Sequence, residues 1–185
     1  MNTLGYLILG IIVVAAAWLL ATYNNLIRRK NRVQEGWADI DVQLKRRYDL
    51  IPNLMETVKG YMKHEEKVLT KVTEARSVAM KAESADTRAQ AENVLTGALK
   101  TLFAVAENYP TLKASENFAK LQDELSDTEN KIQAARRFYN GQVRDFNSAI
   151  EVFPTNLFVN LLNFKPFAYF EVAGEQERAN VEVKF

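Results

Sequence analysis

The first constraint on this chain is its opening segment. From Leu4 to Thr22 it reads LGYLILGIIVVAAAWLLAT, and no charged side chain appears before Arg28. As a helix rising about 1.5 Å per residue, about 19 uncharged residues cross a hydrocarbon core of about 30 Å. A cleaved secretory signal has a basic start and a shorter apolar stretch. Met1-Asn2-Thr3 carries no basic side chain, so the segment is expected to stay as a membrane anchor occupying residues 1–27.

The residues that follow suggest which way the anchor points. Trp18 and Tyr23, then Arg28, Arg29, Lys30 and Arg32, mark a membrane interface. Amphipathic rings settle at headgroup level, and lysine and arginine are retained on the cytoplasmic side. The expectation is a single-pass protein of the cytoplasmic (inner) membrane, N-terminus outside and the remainder in the cytoplasm. The formal net charge of +1 hides the asymmetry behind this: residues 28–47 hold seven Lys/Arg against three Asp/Glu. A basic collar directly after an apolar span suits anionic headgroups better than nucleic acid.

Composition removes several chemistries. With no cysteine, disulfides, zinc–thiolate sites and a lipobox-type lipid anchor are excluded. With 48% apolar and 25% charged residues, seven glycines and four prolines, the rest of the chain is expected to fold around a core.

That core reads as all-α. Leu26, Val33, Trp37, Ile40, Leu44, Ile51, Met55, Val58 and Met62 recur at threes, fours and sevens, one face of a helix. The membrane helix is therefore expected to run on as the first bundle helix, with Pro52 either kinking it or opening a new helix capped by Asp49. The pattern continues through Val68, Leu69, Val72, Ala75 and Ala79, then fades in KAESADTRAQ, where a reversal is expected. A second helix follows on Ala91, Leu95, Ala98, Leu102, Val105 and Tyr109, stopped by the proline of NYP at 108–110. The third carries Phe118, Leu121, Leu125, Thr128, Ile132, Ala135, Tyr139, Phe146, Ile150 and Phe153, and Ser115 is placed to cap it. At about 1.5 Å per residue it is about 55 Å long, which calls for an elongated antiparallel helical bundle over residues 28–154. Period-two alternation appears only in the terminal VEVKF.

Catalytic constellations do not assemble. His64, the single histidine, lies beside Glu65 and Glu66 in YMKHEEKV, and a catalytic zinc needs three protein ligands, usually with paired histidines. Asp39 and Asp41 diverge on a helix. No Gly-rich phosphate loop and no Ser/His/Asp set is present. The expectation is a non-enzyme with no metal, cofactor or small-molecule substrate. The run KRR at 45–47 lacks interleaved aromatics for stacking bases, so no nucleic-acid partner is expected and a solvated or ion-paired role is assigned. Asp41, Asn53, Asn93, Asn130, Asn140 and Asn147 sit on or beside the apolar seams, where a buried polar residue fixes register at a cost in stability; an outer-face position explains each equally well.

The C-terminal stretch VFPTNLFVNLLNFKPFAYFEV, residues 152–172, holds five of the ten phenylalanines. Pro154 ends the long helix, Thr155 can cap a short amphipathic one with Leu157, Phe158, Leu161 and Leu162 on one face, and Lys165-Pro166 forces an extended tail over the rest of 155–185. Phe153, Leu157, Phe158, Leu161, Leu162, Phe164, Phe167 and Phe170 are the candidate strap or self-association residues. Three readings stay open: a flap over the bundle's own groove, contact between subunits, or insertion into the membrane surface.

Four stretches carry a resemblance: YNNLIRR after the anchor, WADIDVQLKRRYDLIPNLMETVKGYMKHE (37–65), ENYPTLKASENFAKLQDELSDTENKIQAARRFYN (107–140) and VRDFNSAIEVFP (143–154). Together they resemble the LemA family of bacterial membrane proteins, with conservative departures at Tyr48 and Met55. The resemblance implies one N-terminal membrane helix followed by an elongated antiparallel helical bundle, and neither a set reaction nor catalytic residues. One branch of that family is associated with building a bacterial membrane organelle, and some members lie near membrane zinc proteases. The functional expectation is a membrane-anchored scaffold that forms a homo-oligomer on the bilayer. The alternative is an adaptor or regulator of another membrane protein, such as a protease or sensor.

Overall fold

The computed structural model describes residues 3–62, 64–159 and 161–171; the extended VEVKF end lies outside them. The described residues form five α-helices: α1 Thr3–Lys59, α2 Glu66–Lys81, α3 Ala85–Ala106, α4 Pro110–Lys113 and α5 Glu116–Glu151, followed by a 3-10 turn Thr155–Leu157. The all-α expectation holds, including the single helix that carries the apolar segment onward. The helices contribute to two compact units, Met1–Ile40 with Ala135–Phe167, and Asp41–Ala134 with Ala168–Phe185.

In the second unit, Ile51, Leu54 and Val58 of α1 meet Leu69 and Val72 of α2, Leu95 and Leu102 of α3, Leu112 of α4, and Phe118 and Leu125 of α5 in one apolar cluster. Each such side chain contributes about 1.5–3 kcal/mol relative to exposure. Where the apolar spacing runs unbroken from Val58 to Ala79, the structure inserts a turn after Lys59. Gly60 is a poor helix former, while Met62 is buried and its amide donates to the Val58 carbonyl at 2.9 Å. Periodicity alone does not separate one long helix from two that share a core. The reversal expected in KAESADTRAQ is confined to Ala82–Ser84, because Ser84 caps α3: its Oγ accepts from the Thr87 amide and Thr87 Oγ1 accepts from the Ser84 amide, both at 3.2 Å. Pro110 opens α4, where its missing donor costs nothing.

Pro52 lies inside α1 and the helix passes through it. Having no N–H, it leaves the carbonyl four residues earlier, that of Tyr48, without its helical donor. Arg76 Nε, from α2, donates to that carbonyl at 2.8 Å.

In the first unit, Leu26, Val33 and Ile40 recur at sevens on α1 and are buried with Tyr139, Val143, Phe146 and Ile150 of α5. The two helices approach closely at Gly36. A Cβ there would meet the Tyr139 Cα at 3.2 Å and the Phe138 ring at 3.3 Å. Trp37 packs edge-on against Tyr139, ring centroids 5.4 Å apart. The short amphipathic helix expected after Pro154 is instead the single turn Thr155–Leu157, in which Pro154 holds the N-cap position expected for Thr155 and no side chain caps it. Asn163, at φ 56°, takes the left-handed conformation that asparagine tolerates.

The pairing of Arg76 with the proline-orphaned carbonyl predicts a coupled effect. Arg76→Met is expected to cost about 1.5–3 kcal/mol, the range for a hydrogen bond to a charged group, in urea unfolding of the full chain in detergent. With Pro52→Ala in place, the amide at position 52 serves the Tyr48 carbonyl and the same Arg76 change should cost less. Equal costs in both backgrounds would show that Arg76 has no such role.

Candidate membrane-proximal site and buried ionic cluster

No part of the most apolar 18-residue window of α1 is buried within the chain, 0% of it. Leu4, Leu7, Ile11 and Val14 all face outward. Such a surface covers every side of the helix and is long and apolar enough to cross a bilayer, which makes this stretch a candidate membrane span.

Toward the end of that surface the C-terminal segment returns to α1. Phe158 packs edge-on against Trp18 with centroids 6.1 Å apart, and Phe164 tilts against Tyr23 at 6.0 Å. Phe146 of α5 supports both Phe164, at 6.0 Å, and Phe167, at 5.2 Å. Edge-to-face pairs of this kind add about 0.5–1.5 kcal/mol beyond their buried area. Asn147 locks the arrangement: its Nδ2 donates to the Phe167 carbonyl and its Oδ1 accepts from the Phe167 amide, both at 2.9 Å. One side chain thereby satisfies both backbone groups of one strap residue.

The predicted strap residues divide sharply. Phe164 and Phe170 are buried, and Phe158, Leu162 and Phe167 are half-buried. Phe153, Leu157 and Leu161 stand out at 77%, 65% and 83% exposure. The basic collar divides too: Arg28 and Arg32 are exposed and Lys30 is half-buried, whereas Arg29 turns toward α5 and its Nη1 donates to the Asp145 carbonyl at 3.2 Å. Arg29 borders a groove of about 390 Å3 whose other walls include Thr22, Asn25, Ser148 and Thr155.

The second unit holds a polar cluster that the sequence reading missed. Arg47 is 1% exposed. It pairs with buried Glu92 of α3, and its Nη1 donates to Glu129 Oε2 of α5 at 2.5 Å and to Thr96 Oγ1 at 3.0 Å. The hydroxyl of Tyr48 donates to the same Glu92 carboxylate. Burial, more than any neighbouring charge, raises the Tyr48 hydroxyl above its ordinary pKa, so it remains a donor. Within the KRR run, Arg46 makes long, exposed ion pairs with Glu124 and Asp127, both at 3.9 Å, worth little. Asp41, read as a seam residue, is exposed and pairs with Arg88. The cluster draws together α1, α3 and α5 around a charge sealed from solvent, an arrangement suited to fixing register rather than to turning over a substrate.

His64 is exposed and Glu65 accepts from the Tyr109 hydroxyl at 3.2 Å. Asn53 and Asn130 face outward, and Asn93 and Asn140 are half-buried. Among the described residues no group of three or more His, Asp or Glu side chains is placed to hold a metal ion.

Breaking the sealed pair from one side is expected to be costly. Arg47→Met alone should lower stability by about 3–5 kcal/mol, since it strands a buried carboxylate, while combining it with Glu92→Leu should recover most of the loss. Unfolding of the full chain in detergent reads both values; a double variant no more stable than the single one would contradict a sealed pair.

Comparison with known proteins converges on one group. The LemA family profile matches residues 36–185. Protein LemA of Metamycoplasma hominis is 33% identical over 164 residues, covering 86% of this chain and 73% of that one. Magnetosome protein MamQ 2 of Paramagnetospirillum magneticum is 22% identical over 186 residues, covering 86% and 68%. Magnetosome protein MamQ of Magnetospirillum gryphiswaldense is 21% identical over 178 residues, covering 82% and 65%.

Proposed function

This chain belongs to the LemA family, and from that membership we propose that it is a membrane-anchored, non-enzymatic scaffold whose copies associate along the bilayer surface. The observation that carries the reading is the apolar surface of the first part of α1, whose most apolar window has no buried residue within the chain and finds its solvent in lipid. Arg28, Arg29, Lys30 and Arg32 support a cytoplasmic membrane location with the N-terminus outside and the helical units in the cytoplasm.

Self-association is supported by a shallow groove of about 490 Å3 between α2 and α3, lined by Ala75, Val78, Ala91, Val94 and Ala98, with Lys71 and Glu74 on its rim. Val78 and Val94 are exposed there, and the alanines leave room for a helix to approach. A rim with both charge signs is self-complementary about a two-fold axis, Lys71 of one copy meeting Glu74 of the other. Similarity to proteins named for the magnetosome, a membrane organelle, supports a place at a membrane.

Because the chain lacks cysteine, a single Val94→Cys variant reports on this groove. In native membranes it is expected to form disulfide-linked homodimers on mild oxidation, and Val78→Glu added to it should abolish them. Strictly monomeric protein at micromolar concentration would contradict self-association. Stoichiometric recovery of a foreign membrane protein would instead favour an adaptor or regulator that presents this groove to a protease or sensor.

A further inference from the structure

We propose that the turn following α5 is a second membrane contact, an uncharged loop whose Phe153, Leu157 and Leu161 insert at the headgroup–acyl boundary beside α1. The inference rests on the reading of α1 as a membrane anchor and adds to it.

Sequence and position make the case together. No charged residue occurs from Val152 through Phe164, with Glu151 and Lys165 at the two ends. Within that stretch the outward apolar side chains are Val152, Phe153, Leu157 and Leu161, beside exposed Asn156 and Asn163, while Phe164 turns inward. Phe153, Leu157 and Leu161 point outward while the smaller polar Thr155 is buried, the reverse of what a water-facing turn favours.

The depth of the loop follows from its aromatic contacts. Phe158 meets Trp18 and Phe164 meets Tyr23. Along a helix rising about 1.5 Å per residue, Trp18 lies about 15 Å and Tyr23 about 8 Å to the apolar side of Arg28, the first charged residue. A loop touching both rings is therefore level with the end of the uncharged span, and its exposed groups continue the lipid-facing surface of α1. Asn147 fixes the far end of the loop to α5 through the Phe167 backbone, so the apolar groups are presented from a held turn. The chemistry matches the bilayer interface: large apolar side chains, the exposed amides of Asn156 and Asn163, and one exposed lysine, Lys165, long enough for its charge to reach toward headgroups. Two attachments restrict how the first unit rotates and tilts on the membrane, which one helix alone leaves free.

Single cysteines at Ile12, Phe153, Leu157, Leu161 and Val94 of the otherwise cysteine-free full chain, each carrying an environment-sensitive nitrobenzoxadiazole dye, test this in vesicles of phosphatidylcholine and phosphatidylglycerol. All five positions are solvent-facing within the chain, so labelling leaves packing intact. Lipids carrying a spin-label quencher near the headgroup should remove most emission at Phe153, Leu157 and Leu161; a quencher deep in the acyl chain should do so at Ile12, and neither should at Val94. Water-like emission at Leu157 and Leu161 with Ile12 still quenched overturns the loop insertion and leaves the anchor standing. Blue-shifted emission at the loop that no lipid quencher reduces also overturns it, because a second copy of the chain then covers the patch. Loss of quenching at Ile12 as well overturns the anchor reading itself.

Discussion

Every backbone amide of α1 needs a partner, and where that partner can come from changes along the helix. Within lipid no water is available, so only intrahelical bonds serve and the helix has to be unbroken. The apolar run meets this with residues that keep the helix intact. Gly5 and Gly10 have nothing close by, and glycine is tolerated in membrane helices. The residues that disturb a helix more strongly fall beyond the basic collar, where other protein groups compensate. Gly36 permits the near-contact with Tyr139, and Pro52 loses one hydrogen bond that Arg76 replaces. Within the first unit α1 thus runs from the candidate membrane span into a packed seam with α5, and within the second it forms one wall of the apolar cluster.

The polar interactions elsewhere act more on specificity than on net stability. A buried ion pair roughly cancels its own desolvation cost and adds little beyond a hydrophobic replacement. Its effect is to make wrong pairings expensive, since any register that separates Arg47 from Glu92 strands a charge in an apolar interior. Asn147 does the same on a smaller scale by accepting only a backbone amide and carbonyl at the right spacing, those of Phe167. Both devices hold the helices of each unit in one arrangement.

Much of this was legible in the sequence because periodicity records which face is buried. Leu26, Val33 and Ile40, like Leu95 and Leu102, stood out by spacing and are core residues. The buried cluster left a signal too, although the KRR run was given only a solvated or ion-paired role and Glu92 was not singled out. Arg47 falls at three and four residues between Leu44 and Ile51, and Glu92 stands three before Leu95 and seven before Leu99, so opposite charges occupied two seams. The turn at Gly60 was not legible, since the apolar spacing passes through it. Neither were the contacts of Trp18 and Tyr23 with Phe158 and Phe164: an aromatic ring suits an interface and a strap equally well, and only folding brings the two ends of the chain together.

A nitroxide scan along α1, one spin label at a time from Ile8 to Ile40 in lipid vesicles, follows the change of solvent directly. Oxygen should collide readily with labels through Thr22 while a water-soluble nickel chelate does not. From Leu26 onward nickel access should rise and fall with the helical period of about 3.6 residues, with Leu26, Val33 and Ile40 at its minima and no interruption between the two regimes. Nickel access within the apolar run, or a loss of helical period between Thr22 and Leu26, would contradict a single helix passing from lipid into the packed core of the first unit.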